Sequence, residues 1–259
     1  MIKRIYMFKV GDHGEVPGAE VFWMRDFNKW YRLYFYSFLL DTTEGYILIN
    51  TGLPDDLSLR NKFLHEWAGS NRCNFSFNED EKIENILNKI NLTVGDISHI
   101  VITPFQDYTI GRLNLFKNAY IYFSQTGWYH DVVNPLPSPF LNRDIYFPKI
   151  IRNYLFEEAW NRIKLVENQK VIDDIYVKWI GCHHRSSMLI KLYYNNKKIC
   201  ISDSAFLMAN YEQNIPIGIA ENVYECIESY KYMQNECNIV IPAYDPENIN
   251  RYMEYFPKI

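Results

Sequence analysis

The sequence predicts a layered α/β or α+β sandwich, and three observations lead there. Apolar, β-rich runs come in two groups, each followed by a helical stretch and a further strand, the order that layered sandwiches use. The length of 259 residues at 31.0 kDa suits a single domain, 1–259, of that class. Hydrophobic residues at 48% and charged ones at 22% give an ordinary globular balance, which excludes a disordered or collagen-like chain.

Taken in order, residues 31–51 (YRLYFYSFLLDTTEGYILINT) read as two strands around a turn at Asp41 to Gly45. Gly52 and Pro54 then open a loop. Asn78 to Ile90 places apolar residues at 83, 86, 87 and 90, the spacing of an amphipathic helix, behind an acidic first turn that suits the helix dipole. ISHIVIT at 97–103 and NAYIYFS at 118–124 read as buried strands. Pro135, Pro137, Pro139 and Pro148 mark residues 131–150 as an irregular surface excursion. Strands return in VIDDIYVKWIG from 171 and in SMLIKLYY, which a turn at Asn195-Asn196 joins to KKICISDS. Residues 221–236 read as a helix and NIVIPAY as a last strand.

Composition narrows the function classes. Aromatic residues reach 17%, with 21 Tyr and 16 Phe, enough to line a pocket as well as a core. The formal net charge of -4 and the lack of a basic stripe argue against nucleic acid as a partner. Five scattered cysteines, with no CxxC pair, argue against a disulfide framework or a zinc ribbon. No segment has the apolar length of a signal peptide core or a membrane helix, so cytoplasmic residence is expected by default and no membrane partner. The expected partner is a small-molecule ligand or substrate. The oligomeric state stays open, a homodimer included.

The stretch ISHIVITPFQDYTIGRLNLFKNAYIYFS at 97–124 resembles the strand, metal loop and next strand of the metallo-β-lactamase fold, in its N-acyl-homoserine-lactone lactonase branch. The branch reads Thr-His-x-His-x-Asp-His-x-Gly in this loop. This chain keeps Thr103, Ile110 and Gly111 but places Pro104, Gln106, Tyr108 and Thr109 at the ligand positions, none of them a good zinc ligand. Four other landmarks follow in order. YILINTGLP at 46–54 matches the strand ending in Asp-Thr-Gly, with Asn50 for the Asp. GCHHRSSM at 181–188 puts His183 on a metal histidine, and ICISDSAF at 199–206 puts Asp203 on the bridging aspartate. IPAYDPE at 241–247 puts Tyr244 on the last histidine. The resemblance implies a four-layered αβ/βα sandwich, two mixed β-sheets flanked by helices. It also implies a pocket where residues 104–109, 181–187, 203–206 and 244 converge. Of its seven ligand positions only His183 and Asp203 keep a ligating residue.

With the metals' ligands replaced, His183 and Asp203 are expected to face each other as an acid–base pair, or as a relic that holds two loops together. Tyr108 and Tyr244 are expected to fill the metals' volume, or else to act as proton donors or substrate binders. Gln106, Thr109, Phe206 and His184 are candidates for substrate contact. Phe206 stands where the lactonases carry a tyrosine that assists the substrate carbonyl, and His184 is expected to face away from its neighbour on an extended segment. Cys182 invites a nucleophile reading that its sequence neighbours do not support. Ser202 and Ser204 lack the turn of a nucleophile elbow and read as structural.

Three functions stay open. The chain is a repurposed, hydrolase- or lyase-like enzyme acting on a small acyl or aromatic molecule through metal-independent His183–Asp203 chemistry. Alternatively it is a non-catalytic binding or accessory pseudoenzyme that kept the pocket. The third reading is a mononuclear-metal hydrolase, one weakly bound ion on His183, Asp203 and Tyr244 or Asp107. No other cofactor is expected, since no phosphate loop, dinucleotide fingerprint or EF-hand spacing is present.

Overall fold

The alternation of inward and outward side chains along each strand sorts this chain into layers. The structure is a computed structural model and describes residues 1–135, 142–172 and 174–256. Its strands are β1 (Ile2–Pro17), β2 (Trp30–Thr42), β3 (Gly45–Ile49), β4 (Cys73–Ser76), β5 (Ile97–Val101) and β6 (Tyr120–Ser124). There follow β7 (Ile163–Val166), β8 (Gln169–Ile172), β9 (Ile175–Trp179), β10 (Met188–Tyr194), β11 (Lys197–Ser202) and β12 (Ile239–Pro242). They form a seven-stranded sheet ordered β4-β1-β2-β3-β5-β6-β7 and a five-stranded sheet ordered β12-β11-β10-β9-β8. Both are mixed: β3, β5, β6 and β7 run parallel, as do β11 and β12, while the remaining pairs are antiparallel.

On β2, Phe38 and Leu40 join Ile47, Val177, Ile190, Leu192 and Ile241 in one core between the two sheets. Leu39 points the opposite way and joins Leu48, Ile100, Leu64, Ile83 and Leu87, where helices Ser58–Ala68 and Ile83–Lys89 cover the first sheet. Leu189 and Cys200 do the same under helix Val223–Glu236, through Tyr230 and Met233. The expected four-layered αβ/βα sandwich is therefore what the chain forms.

Local signals explain the boundaries. Asn195 and Asn196 both take positive φ (50° and 59°) in the two-residue β10–β11 turn, as asparagine tolerates. The Asn222 side chain accepts from the Tyr224 amide and caps the helix Val223–Glu236. The helix read over 78–90 is broken at Lys82 into a 3₁₀ turn, Glu79–Glu81, and the helix Ile83–Lys89. Similarly, the run from 171 divides into β8 and β9, with Asp174 at φ 65° in between.

Two sequence expectations are corrected. The excursion over 131–150 is not merely superficial: helices Arg143–Tyr146 and Lys149–Asn153 anchor it through Phe147 and Ile151, both fully buried. Phe147 meets Phe105 edge-on at 4.8 Å. Pro137 and Pro139 lie outside the described residues. The cysteines, far from unpaired, form the disulfides Cys182–Cys226 and Cys200–Cys237, which tie a loop and β11 to the two ends of helix Val223–Glu236. Their partners lie 44 and 37 residues apart, so the pairing is a product of the layers and not of spacing. Cys182 is thus no nucleophile, and Cys73 is the free thiol, buried and pushed up to about 12 by desolvation. Disulfides persist in oxidising surroundings, so this pair weighs against cytoplasmic residence. Among the described residues no helix is long and apolar enough to cross a membrane.

Replacing Cys182 and Cys226 with serine is expected to lower folding stability by about 2–4 kcal/mol, the usual worth of such a cross-link. A denaturant midpoint that does not move would show that the bond constrains little.

Candidate functional site

β3 and β5 run side by side and deliver their ends to one edge of the sandwich. Asn50, at φ 62°, leaves β3 and holds the next loop by donating to the Thr103 carbonyl and accepting from the Thr103 amide, each at 2.9 Å. Only an amide can do both, because a carboxylate has no proton to donate. That gives the replacement of the family's aspartate by Asn50 a physical reason. Gly111 closes the loop because a Cβ there would meet the backbone of Leu53 and Pro54 at 2.2–2.4 Å.

Within this loop the side chains divide. Thr109 Oγ1 accepts from the Gln106 amide (3.2 Å) and donates to the Pro104 carbonyl (2.6 Å), so the hydroxyl is spent on the loop's own backbone. Asp107 turns the other way into a buried, two-pronged ion pair with Arg60. That removes Asp107 from any ligand set. Tyr108 points inward, stacks on Phe35 at 4.9 Å and brings its hydroxyl within 3.5 Å of His184 Nε2.

The loop after β9 presents the histidines. Gly181 and Cys182 both take left-handed φ (55° and 65°), the Cys182 amide donates to Glu225 (2.8 Å), and the disulfide to Cys226 holds the turn. His183 Nδ1 lies 3.1 Å from Asp203 Oδ2, which also accepts from Ser187 Oγ at 2.6 Å. The carboxylate can only accept, so it assigns the imidazole proton to Nδ1 and leaves Nε2 with a lone pair. Burial, then the neighbouring His184, lowers His183 to about 4 against the pull of Asp203, so the ring is neutral at neutral pH. Phe206 meets it edge-on at 4.8 Å and Tyr244 packs edge-on against Phe206 at 5.0 Å. Desolvation raises both the Tyr108 and Tyr244 phenols, which therefore stay protonated.

His184 does not face away from His183: their ring centres are 3.9 Å apart and both line the same pocket. The alternation rule needs an extended chain, and the left-handed residues before His183 turn the segment instead. Ser202 and Ser204 are structural as expected, linked to each other and on to Ser229 by hydrogen bonds of 2.7 and 2.8 Å.

The pocket has a volume of about 550 Å³. Gln106, Tyr108, His183, His184, Phe206 and Tyr244 all border it. Thr109 and Asp203 instead border a separate space of about 20 Å³ beneath, together with Tyr108 and Tyr244. Asp203 Oδ1 and the Tyr244 hydroxyl are buried there without a partner among the described residues. Such a polar space has room for about one water. Sequence reasoning missed His13, Glu20, Arg60, His130, Asp131 and Glu221 on the pocket wall. They sit in five scattered segments with no motif, so only the packed layers bring them together.

The donor set does not fit the family's two zinc ions. His183 and Asp203 are bonded to each other, Thr109 and Asp107 are committed elsewhere, and the replacing phenols keep their protons. Among the described residues no three His, Cys, Asp or Glu side chains are grouped to hold an ion. A third ligand for the single-metal reading is therefore lacking in Asp107, and Tyr244 would have to lose a proton that burial retains.

No family model matches the chain. N-acyl homoserine lactonases of Bacillus thuringiensis, that of subspecies kurstaki among them, are 21% identical over 224 residues, covering 84% of this chain and 82% of the relative. An N-acyl homoserine lactone hydrolase, solved with N-hexanoyl-L-homoserine at its catalytic metal centre, superposes with a TM-score of 0.79 at 18% identity over 96% of both chains. A probable metal-dependent hydrolase from Staphylococcus aureus does so with 0.68 at 16% identity, covering 93% of this chain and 88% of that one. The chain is accordingly a metallo-β-lactamase-fold protein, similar to the N-acyl homoserine lactonases, with a degenerate metal-binding motif.

Proposed function

We propose that this protein is an enzyme acting on a small acyl or aromatic molecule, with His183 as general base and Asp203 as the group that orients it. The observation that carries the reading is the line Asp203 Oδ2, His183 Nδ1, His183 ring, pocket. A carboxylate fixes the tautomer, and the ring borders a cavity large enough for a small ligand. The base removes a proton from the ligand or from an attacking water, and the neutral Tyr108 phenol, 3.5 Å from His184 Nε2 on the same pocket, stands as the donor. The relatives act on or bind N-acyl homoserine lactones and products, so acyl lactones and aryl esters are the first compounds to assay.

A base must be unprotonated, so kcat/KM is expected to rise with pH through about 4 and then stay level toward neutrality. Stability limits the acid side. His13 and His183, lowered to about 3 and 4 by burial, bind fewer protons folded than unfolded below pH 6.5, so folding weakens as pH falls through that window. The profile is to be measured with a circular dichroism control at each pH. An activity limb near neutrality would assign the proton transfer to a different group.

A second reading is a ligand receptor without turnover. It is favoured by the depressed basicity of His183, since a base effective at neutral pH has a pKa closer to 7. Ligand-induced thermal stabilisation with every assayed compound recovered unchanged would select it.

A further inference from the structure

Hydrolysis of an acyl bond makes two demands: a base for the water, and a donor for the oxygen on which negative charge gathers. A catalytic metal ion meets both. His183 meets only the first, so the second falls to another group on the pocket.

The loop after β5 places one residue for it. On either side of Gln106 the chain is pinned. The Phe105 amide donates to Ser186 Oγ at 2.9 Å, and its ring packs edge-on against Phe123 and Phe147. Asp107 is held the other way by Arg60. The backbone of Gln106 is itself spent. Its amide donates to Thr109 Oγ1 at 3.2 Å, and its carbonyl accepts from the Thr109 and Ile110 amides at 2.9 and 3.0 Å. What remains is the side-chain amide.

Gln106 is 5% exposed and borders the same pocket as His183, His184 and Tyr108. Neither of its amide atoms is among the polar atoms sealed off without a partner. Arg60 and Arg185 on the same pocket are ion-paired, and the Tyr244 hydroxyl is sealed away. The Gln106 amide carries two N–H donors at any pH, on a backbone that the loop holds still.

We propose that Gln106 is a catalytic residue, its Nε2–H donating to the carbonyl oxygen of a bound acyl compound as that oxygen becomes an oxyanion. The inference rests on the reading that His183 is the base, and it divides a metal ion's two tasks between two side chains. His183 takes a proton from water, the water oxygen bonds to the acyl carbon, and the carbonyl π pair moves onto the oxygen that Gln106 faces. When that pair returns, the bond to the leaving oxygen breaks. The leaving oxygen takes the Tyr108 proton, and the proton held by His183 restores the phenol.

The experiment is steady-state hydrolysis of 4-nitrophenyl hexanoate by the whole protein and by Gln106→Met, which keeps the side chain's length without its N–H groups. kcat is expected to fall about 10²–10³-fold, the worth of one oxyanion donor, with KM little changed. Affinity for the monomethyl ester of pentylphosphonic acid, a tetrahedral anion, is expected to fall at least about tenfold in the same variant. A measurement on the wild type guards against misfolding: the Gln106 side-chain ¹H–¹⁵N resonances move on adding that phosphonate and stay put with hexanol. A raised KM at unchanged kcat, phosphonate affinity retained by a folded Gln106→Met protein, or unmoved amide resonances would overturn the role of Gln106 and leave the His183–Asp203 reading intact. No hydrolysis of any ester or lactone by the wild type, or hydrolysis undiminished in His183→Ala, would instead overturn that reading and the role of Gln106 with it.

Discussion

Replacing Asp107 with alanine is expected to cost about 3–5 kcal/mol of folding stability, as breaking one side of a buried ion pair does. Arg60 and Asp107 have side chains only 7% and 2% exposed, and they meet through two guanidinium nitrogens, Nε and Nη2, and both carboxylate oxygens. Removing the carboxylate strands a guanidinium in contact with the Phe75 ring. A domain is typically stable by about 5–15 kcal/mol, so a large share of that margin would go. The pair itself is a weaker stabiliser than its halves imply. Changing both residues to leucine is expected to recover most of the loss, since apolar replacement of a buried pair is often neutral. Urea midpoints of the two variants check this, and an Asp107→Ala midpoint near wild type would mean that water reaches the site.

The second large effect is on turnover. His183→Ala is expected to lower kcat by about 10²–10⁴-fold on any ester or lactone that the wild type converts, the usual share of a general base. Asp203→Asn tests the mechanism more sharply. Asp203 Oδ2 faces two donors, His183 Nδ1–H and Ser187 Oγ–H. An asparagine that offers its NH₂ to His183 drives the imidazole into the other tautomer, with the proton on Nε2 and no lone pair toward the pocket. Ligand binding should then survive while kcat collapses. If KM changes and kcat does not, His183 binds and does no proton transfer.

How much of this could be read from the chain depended on whether the signal was local. The β2–β3 hairpin, β5, β6, the Asn195-Asn196 turn and the helix after Asn222 all carry their own periodicity or turn chemistry, and they stand where the sequence put them. β1 was invisible for a local reason. Its pairing with β2 is interrupted by register shifts at Ile2/Arg4, Lys9/Gly11 and Asp12/Gly14, which erase the alternation that marks a strand. His183, Asp203, Tyr108 and Tyr244 were legible because their loops resemble the metal loops of the lactonase branch, and that resemblance implies that they meet at one edge of the sandwich. His130, Asp131, Arg60 and Glu221 were not, because tertiary packing alone brings them to the pocket. The disulfides belong with them: Cys182 and Cys226 meet only once a loop and a helix have docked.

On the function proposed above, the chain has given up the dinuclear metal centre and uses the Asp203–His183 pair in its place. The most direct test is the metal content of the untagged protein by mass spectrometry, after growth with added zinc, iron and manganese. The donor set predicts well under one ion per chain, unchanged in His183→Ala. Two ions per chain, lost when His183 or Asp203 is replaced, would contradict it.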